Sequence, residues 1–384
     1  MAKVYRPLNE DLRQFTDISY DADGSVVRYA LSYFEHLKER VSQGDGQLST
    51  LNLYLLNPTL DWDDVYFFLG MTVALCLGRL FVSGAMIPSW RNSFSVFKYI
   101  ANKGQIAKPG KVYKLAENLW YCCWHTTAFL WGMYLLMGEA GTPEAPGWVR
   151  KMWQQTDGRW YWITTDAEFE QGSIGWPLLV PSSGIRTYYL TQASFWTSCL
   201  VFLRFETRRS DFHVMATHHI ATVALVGFSY ALSYWRLGHV VLVLHDWVDV
   251  LLYCSKSLQY SFIPPRVTDC SFVCFVISYL VARLILFPIY CVWPTIDPTL
   301  THRLSHGRVT DHHSFPGGVA LPVFLCVLVG LHIYWFGLII RMVYRMFRDK
   351  REGIKKEISD IRSDDESEST ATTSTDTACT KKKK

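Results

Sequence analysis

The chain has 384 residues, of which 49% are apolar, 15% aromatic and 19% charged. An average soluble domain carries about 25% charged residues, and a disordered chain is neither this apolar nor this aromatic. The formal net charge of +4 is too small to make nucleic acid the main partner. Mean hydropathy is slightly positive, +0.08, despite a long polar tail. Strongly apolar segments diluted by polar ends give such an average, so membrane spans are sought first.

Residues 1–64 form a polar N-terminal region without the apolar core of a cleavable signal. A helix needs about 20 mainly apolar residues to cross the hydrocarbon. Stretches that meet or approach this lie at 65–87, 119–137, 188–203, 214–232, 237–254, 272–290 and 319–342. The third and fifth are short; the fourth and fifth carry His and Asp and are expected to be the weakest by hydropathy. The pattern predicts an all-α polytopic membrane bundle of about seven transmembrane helices. A first span and basic loop occupy 65–110, six further spans 111–345, and an acidic tail 346–384. The ten Cys are scattered, lack zinc or CxxC spacing, and read as small apolar fillers.

Basic residues orient the spans. The loops after spans one, three, five and seven hold eighteen Lys and Arg, including Arg204, Arg208, Arg209 and Lys256. The opposite loops hold seven. The bias predicts a lumenal N-terminus and a cytosolic C-terminus. The alternative makes span one re-entrant and leaves the N-terminal region cytosolic.

Beyond Lys356 the chain is rich in Ser, Thr and acids and is expected to be disordered, with Ser363 and Ser367 in an acidic context suited to phosphorylation. It ends in four lysines. Lys381 and Lys382 occupy the positions of a dilysine retrieval signal read by coat proteins, which predicts residence in the endoplasmic reticulum membrane.

Ionisable groups inside spans are costly and mark function by default. Span four carries adjacent His218 and His219; span five carries His245, Asp246 and Asp249. At 1.5 Å per residue His218 is about 8 Å, Asp249 about 10 Å and His245 about 16 Å from the same membrane surface. Only a short turn joins the two spans, so they are expected to be antiparallel neighbours with both polar sets at similar depth. His245 and Asp249 are spaced i,i+4, and Asp246 and Asp249 i,i+3, which puts them on one broad face. Three readings stay open. One is catalysis by imidazole and carboxylate. The second is a histidine-box metal site with His213, His302, His306, His312 and His313, which the predicted topology splits across the bilayer. The third is a satisfied polar knot between helices.

The stretch DFHVMATHHIATVALVGFSYALSYWRLGHVVLVLHDWVDVLLYCSKSLQY closely resembles the Lag motif of ceramide synthases, within the TLC domain. The match covers the double histidine, Arg236–x–Gly238, the HD–x–x–D set, Lys256 and Tyr260. TLC-like character extends over most of 111–342, and the basic loop at 89–118 is too short for the homeobox-like insert of many animal members.

The resemblance implies transfer of a fatty acyl group from acyl-CoA to the amine of a sphingoid base. It implies no bound cofactor and no metal. His218 would carry the acyl group. Asp246 and Asp249 would orient imidazoles, offset imidazolium charge and accept a proton from the amine, His245 would shuttle it, and His219 would bind a neighbour or the second substrate. Arg204, Arg208, Arg209 and Lys256 would receive the CoA phosphates. The resemblance is compatible with a homo- or hetero-dimer. Two alternatives are a non-catalytic TLC relative that regulates lipid or attends the translocon, and a histidine-box lipid hydroxylase.

Overall fold

The computed structural model describes residues 62–84, 94–139, 181–203, 211–232, 234–297 and 320–352. The described residues are helical throughout, apart from turns and one isolated bridge between Ala107 and Ser261. The helices are α1 (Trp62–Val82), α2 (Val96–Lys103), α3 (Val112–Glu139), α4 (Ser183–Leu203), α5 (Phe212–Ala231), α6 (Trp235–Tyr260) and α7 (Pro265–Tyr279). Two π-helical stretches, Leu280–Leu286 and Pro288–Val292, extend α7 into the short α8 (Trp293–Ile296), and α9 (Ala320–Arg351) follows.

Each predicted span overlaps one of these helices, the first extending to residues 85–87, which lie outside the described residues. Five helical segments are long and apolar enough to cross a membrane by length and composition: α1, α5, α6, the run Pro265–Ile296 and α9. The order of hydropathy departs from expectation, because α3 and α4 fall below that level rather than the fourth and fifth spans. Their polar residues face inward: Glu117, Asn118 and His125 on α3, and Thr191, Gln192, Ser194 and Ser198 on α4, are all buried. A hydropathy average cannot tell a buried polar face from a wet one.

The outer surface has the opposite character. Trp62, Tyr66, Leu69, Val73, Leu77 and Phe81 of α1 are all exposed. Their three- and four-residue spacing makes one apolar stripe turned away from the protein, as hydrocarbon requires. The fold is therefore that of a polytopic helical membrane protein.

α1 is fastened at both ends. Near its start Asp64 is paired with Arg186 of α4 and accepts a hydrogen bond from the Tyr230 hydroxyl of α5 at 3.3 Å. Near its end Arg79 lies 3.8 Å from Glu117 at the start of α3 and covers the ring of Phe202 at the end of α4. The starts of α1 and α4 thus meet at one end of the bundle and their ends at the other, so the two run parallel. At this second end, the Lys108 amide donates to the Tyr260 carbonyl at 2.9 Å, closing the entry to α3 against the exit of α6.

α6 lies at the centre of the bundle. It packs most extensively on α3 and then on α7, while α5 packs chiefly on α4 and α9. The expected contact between α5 and α6 exists but is secondary. Two glycines permit close helix approach. A Cβ at Gly238 would collide with the Tyr189 hydroxyl of α4, which is itself bonded to Ser229 at 2.9 Å. A Cβ at Gly132 would stand 2.7 Å from the Tyr188 hydroxyl, and the Gly132 carbonyl pairs with Nε2 of buried His239 at 2.9 Å. Gly238 is the glycine of the Arg–x–Gly element, and its missing side chain leaves room for the Tyr189 hydroxyl against α6.

Candidate active site

The five polar residues read from spans four and five are all buried, and the structure brings them into one polar layer with partners from four other segments. His218 and His219 have ring centroids 5.5 Å apart and interplanar angle 49°. Trp335 of α9 meets the His218 ring edge-on at 5.1 Å, and Trp196 of α4 does so at 5.7 Å. Nδ1 of His218 is buried and finds no hydrogen-bond partner among the described residues.

The three polar groups of α6 point to three different neighbours. Asp246 faces α3 and α4: Oδ1 lies 2.7 Å from Nδ1 of His125, and Oδ2 accepts from Gln192 Nε2 at 2.6 Å. Asp249 faces the first π-helical stretch, where Oδ1 accepts from Arg283 Nη2 at 2.7 Å. His245 faces α9: its Nε2 lies 3.2 Å from Nε2 of His332, and its Nδ1 lies 2.7 Å from the Val241 carbonyl. Tight side-chain placement thus divides what helical spacing alone put on one broad face. Each carboxylate is held by a partner outside the histidine pair.

Arg283, His332 and His125 complete the layer. Arg283 Nη2 also donates to the His245 carbonyl at 3.2 Å, and its guanidinium lies 5.2 Å from the Tyr279 ring centre. The Tyr279 hydroxyl in turn donates to the His332 carbonyl at 3.1 Å. A π-helical segment positions Arg283. Pro288 has no amide proton, and its ring excludes the carbonyl four residues back. Wider turns absorb this, as in the bond from the Phe287 amide to the Ala282 carbonyl, five residues back. Such π insertions in otherwise regular helices concentrate at functional sites.

Sequence reasoning missed His125, Gln192, Arg283 and His332. The intramembrane rule that picked out His218 applies equally to His125, Arg283 and His332, each an ionisable residue in an apolar run. Gln192 carries no charge and gave no comparable signal. Of the expected CoA contacts, Lys256 is half-buried near the end of α6, while Arg204, Arg208 and Arg209 lie outside the described residues. His302, His306, His312 and His313 also lie outside them, as do residues 353–384 of the tail with its lysines, while the first residues of the tail continue α9 as far as Arg351. Among the described residues no group of three His, Cys, Asp or Glu side chains is arranged to hold a metal ion.

A helical membrane domain that seals imidazoles, carboxylates and a guanidinium in its interior defines an integral membrane protein with an intramembrane polar site. Residues 114–341 match the TLC-domain family model that groups TRAM, LAG1 and CLN8 proteins. The chain is 32% identical to ceramide synthase 1 LOH3 of Arabidopsis thaliana over 67% of its own length and 76% of that protein's. It is 33% identical to ASC1-like protein 1 of Oryza sativa subsp. japonica, over 67% of this chain and 75% of the relative. Against ceramide synthase 4 of Bos taurus it is 28% identical, over 67% of this chain and 58% of the relative. The chain belongs to the TLC-domain family, on its ceramide synthase branch. The matched region contains the whole polar layer described above.

Proposed function

We propose that this protein is a ceramide synthase that transfers a fatty acyl group from acyl-CoA to the amine of sphinganine or a related sphingoid base. One observation carries the reading. A buried histidine pair stands beside a carboxylate-bearing helix inside a membrane domain whose similar members are named ceramide synthases. Both substrates suit such a site, since one is an amphiphile and the other delivers a long acyl chain.

The chemistry proceeds in two steps. A ring nitrogen of His218 attacks the thioester carbonyl carbon. The carbon–sulfur bond breaks, the departing thiolate takes the proton from the other ring nitrogen, and a neutral acyl-imidazole remains. The free amine of the sphingoid base then attacks that carbonyl. The carbon–imidazole bond breaks, and His218 regains a proton as the amide forms. Neither step consumes a cofactor. The Asp249–Arg283 pair holds α6 against the first π-helical stretch. Lys256, near the α6 exit, is assigned to the CoA phosphates together with Arg204, Arg208 and Arg209.

We place the protein in the endoplasmic reticulum membrane with its C-terminus cytosolic, as a homo- or hetero-dimer. The continuous, doubly fastened α1 supports a first span that crosses fully. Purified protein incubated with labelled sphinganine and a panel of acyl-CoAs is expected to yield N-acylated base. No product with any chain length would refute the activity and favour a non-catalytic TLC protein.

A further inference from the structure

Attack on the acyl group needs a free amine, and at neutral pH the substrate amine is an ammonium ion. A base must take that proton, and neither carboxylate is free to do so directly. Asp249 is committed to Arg283. Asp246 accepts from Gln192 at one oxygen and meets His125 at the other. His245 is also committed, with Nδ1 against the Val241 carbonyl and Nε2 against His332.

His125 differs from all of these. Its Nδ1 is fixed on Asp246 at 2.7 Å, while its Nε2 makes no hydrogen bond to a described residue. A carboxylate on Nδ1 sets the tautomer: the proton sits on Nδ1 and the lone pair on Nε2. The ring plane is fixed as well. Tyr253 of α6 stacks on it at 5.5 Å with an interplanar angle of 2°, and Phe195 of α4 closes its edge at 5.5 Å. A buried imidazole held in this way is pre-organised to accept a proton at Nε2.

Its position relative to His218 is equally specific. The Trp196 ring centroid lies 5.9 Å from that of His125 and 5.7 Å from those of both His218 and His219, so one side chain links the two sites. Trp196 Nε1 and Gln192 Oε1, one helical turn apart on α4, are both buried and find no hydrogen-bond partner among the described residues. Buried polar atoms are ordinarily paired. An unpaired donor on the side chain that touches both sites, and an unpaired acceptor beside Asp246, suit the amine and hydroxyl groups of a long-chain base.

We infer that His125, oriented by Asp246, is the base that accepts the ammonium proton of the sphingoid base, with Trp196 beside both His125 and His218 and Gln192 beside Asp246 offering polar contacts to that head group. The inference rests on the acyl-transfer reading above. The proton moves from the ammonium nitrogen to His125 Nε2. The amine lone pair forms the carbon–nitrogen bond, the carbon–imidazole bond breaks, and the second amine proton passes to the imidazole of His218. His125 later returns its proton to solvent, so each turnover releases one.

The ionisable groups facing His125 are Asp246 and Tyr253 from α6 and Tyr121 from its own helix. α4 contributes Gln192, Phe195 and Trp196, with Tyr188 on the far side of the carboxylate. None of these replaces a lost base on Nε2, which makes His125→Gln informative: the amide still donates to Asp246 but accepts no proton.

The full-length variant and wild type are mixed with acyl-CoA, and CoA release and acyl adduct are followed. Each is then chased with sphinganine or with hydroxylamine, whose nitrogen is unprotonated at neutral pH. The variant is expected to keep the CoA burst and its discharge by hydroxylamine. Its discharge by sphinganine should slow at least ~100-fold at pH 7. That deficit should shrink at least ~10-fold by about pH 9, as the amine loses its proton unaided. Unchanged transfer to sphinganine, equal slowing for both nucleophiles, or loss of the burst would each overturn the base role. If wild type makes ceramide without an adduct, the two-step reading fails by itself. Steady-state turnover then decides for His125: a deficit that shrinks with pH upholds the base, and a constant deficit refutes it.

Discussion

Asp249 and Arg283 lie 34 residues apart in the chain and 2.7 Å apart at their charged atoms, both buried. Removing one partner of a buried pair leaves the other charge uncompensated and costs about 3–5 kcal/mol. Arg283→Met and Asp249→Asn should each lower thermal stability in detergent. The double variant should recover most of that loss without recovering acyl transfer. Additive destabilisation in the double variant would show that the pair is not coupled.

Asp249→Asn should also reduce product formation at least ~100-fold at normal expression, as expected for a lost electrostatic partner. Steady-state turnover with sphinganine and a preferred acyl-CoA measures this. Full activity would remove Asp249 from the chemistry and leave the pair a purely structural brace.

His218 is expected to gain the mass of the acyl group when protein meets acyl-CoA alone, with one equivalent of CoA released rapidly. His218→Ala should abolish the burst and turnover, whereas His219→Ala should retain some burst. Rapid-quench mass spectrometry locates the adduct. An adduct on His219 would preserve the mechanism and reverse the assignment within the pair.

At Gly238 a methyl group has no room beneath the Tyr189 hydroxyl. Overpacking of this kind costs about 1–3 kcal/mol. Gly238→Ala should lower the unfolding temperature, and adding Tyr189→Phe should restore part of it by removing the oxygen in the way. Equal stability of Gly238→Ala and wild type would mean that the Tyr189 hydroxyl gives way without cost.

Topology and address are separable by experiment. Acceptor sites for glycosylation introduced near residues 30 and 155 should both be modified if the first span crosses outward to inward. Modification near 155 alone would favour the re-entrant alternative. Lys381→Ala with Lys382→Ala should shift part of the protein beyond the endoplasmic reticulum while leaving activity in vitro unchanged. An unaltered distribution would reduce the lysines to a solvated end.

The sequence by itself determined the helical membrane class and the family, and five of its apolar stretches fall on helices long and apolar enough to cross a membrane. Each follows from local quantities: runs of apolar residues, the cost of burying a charge in hydrocarbon, and an ordered pattern of polar residues in α5 and α6. It also placed His218, His219, His245, Asp246 and Asp249 at similar depth, because helical rise fixes depth along a single helix, and all five are buried.

The pairing of those residues was decided only by tertiary structure. Asp246 and Asp249 sit three residues apart, yet one is held by His125 and Gln192 and the other by Arg283. Helical spacing gives the direction in which a side chain leaves its own axis, but not which helix stands there. α3 proved to be the principal neighbour of α6 although a long stretch of chain separates them, and α7 reached Asp249 with Arg283 through π-helical turns set by Pro288. Those partners are long-range contacts, fixed by the packing of whole helices, and no local pattern encodes them.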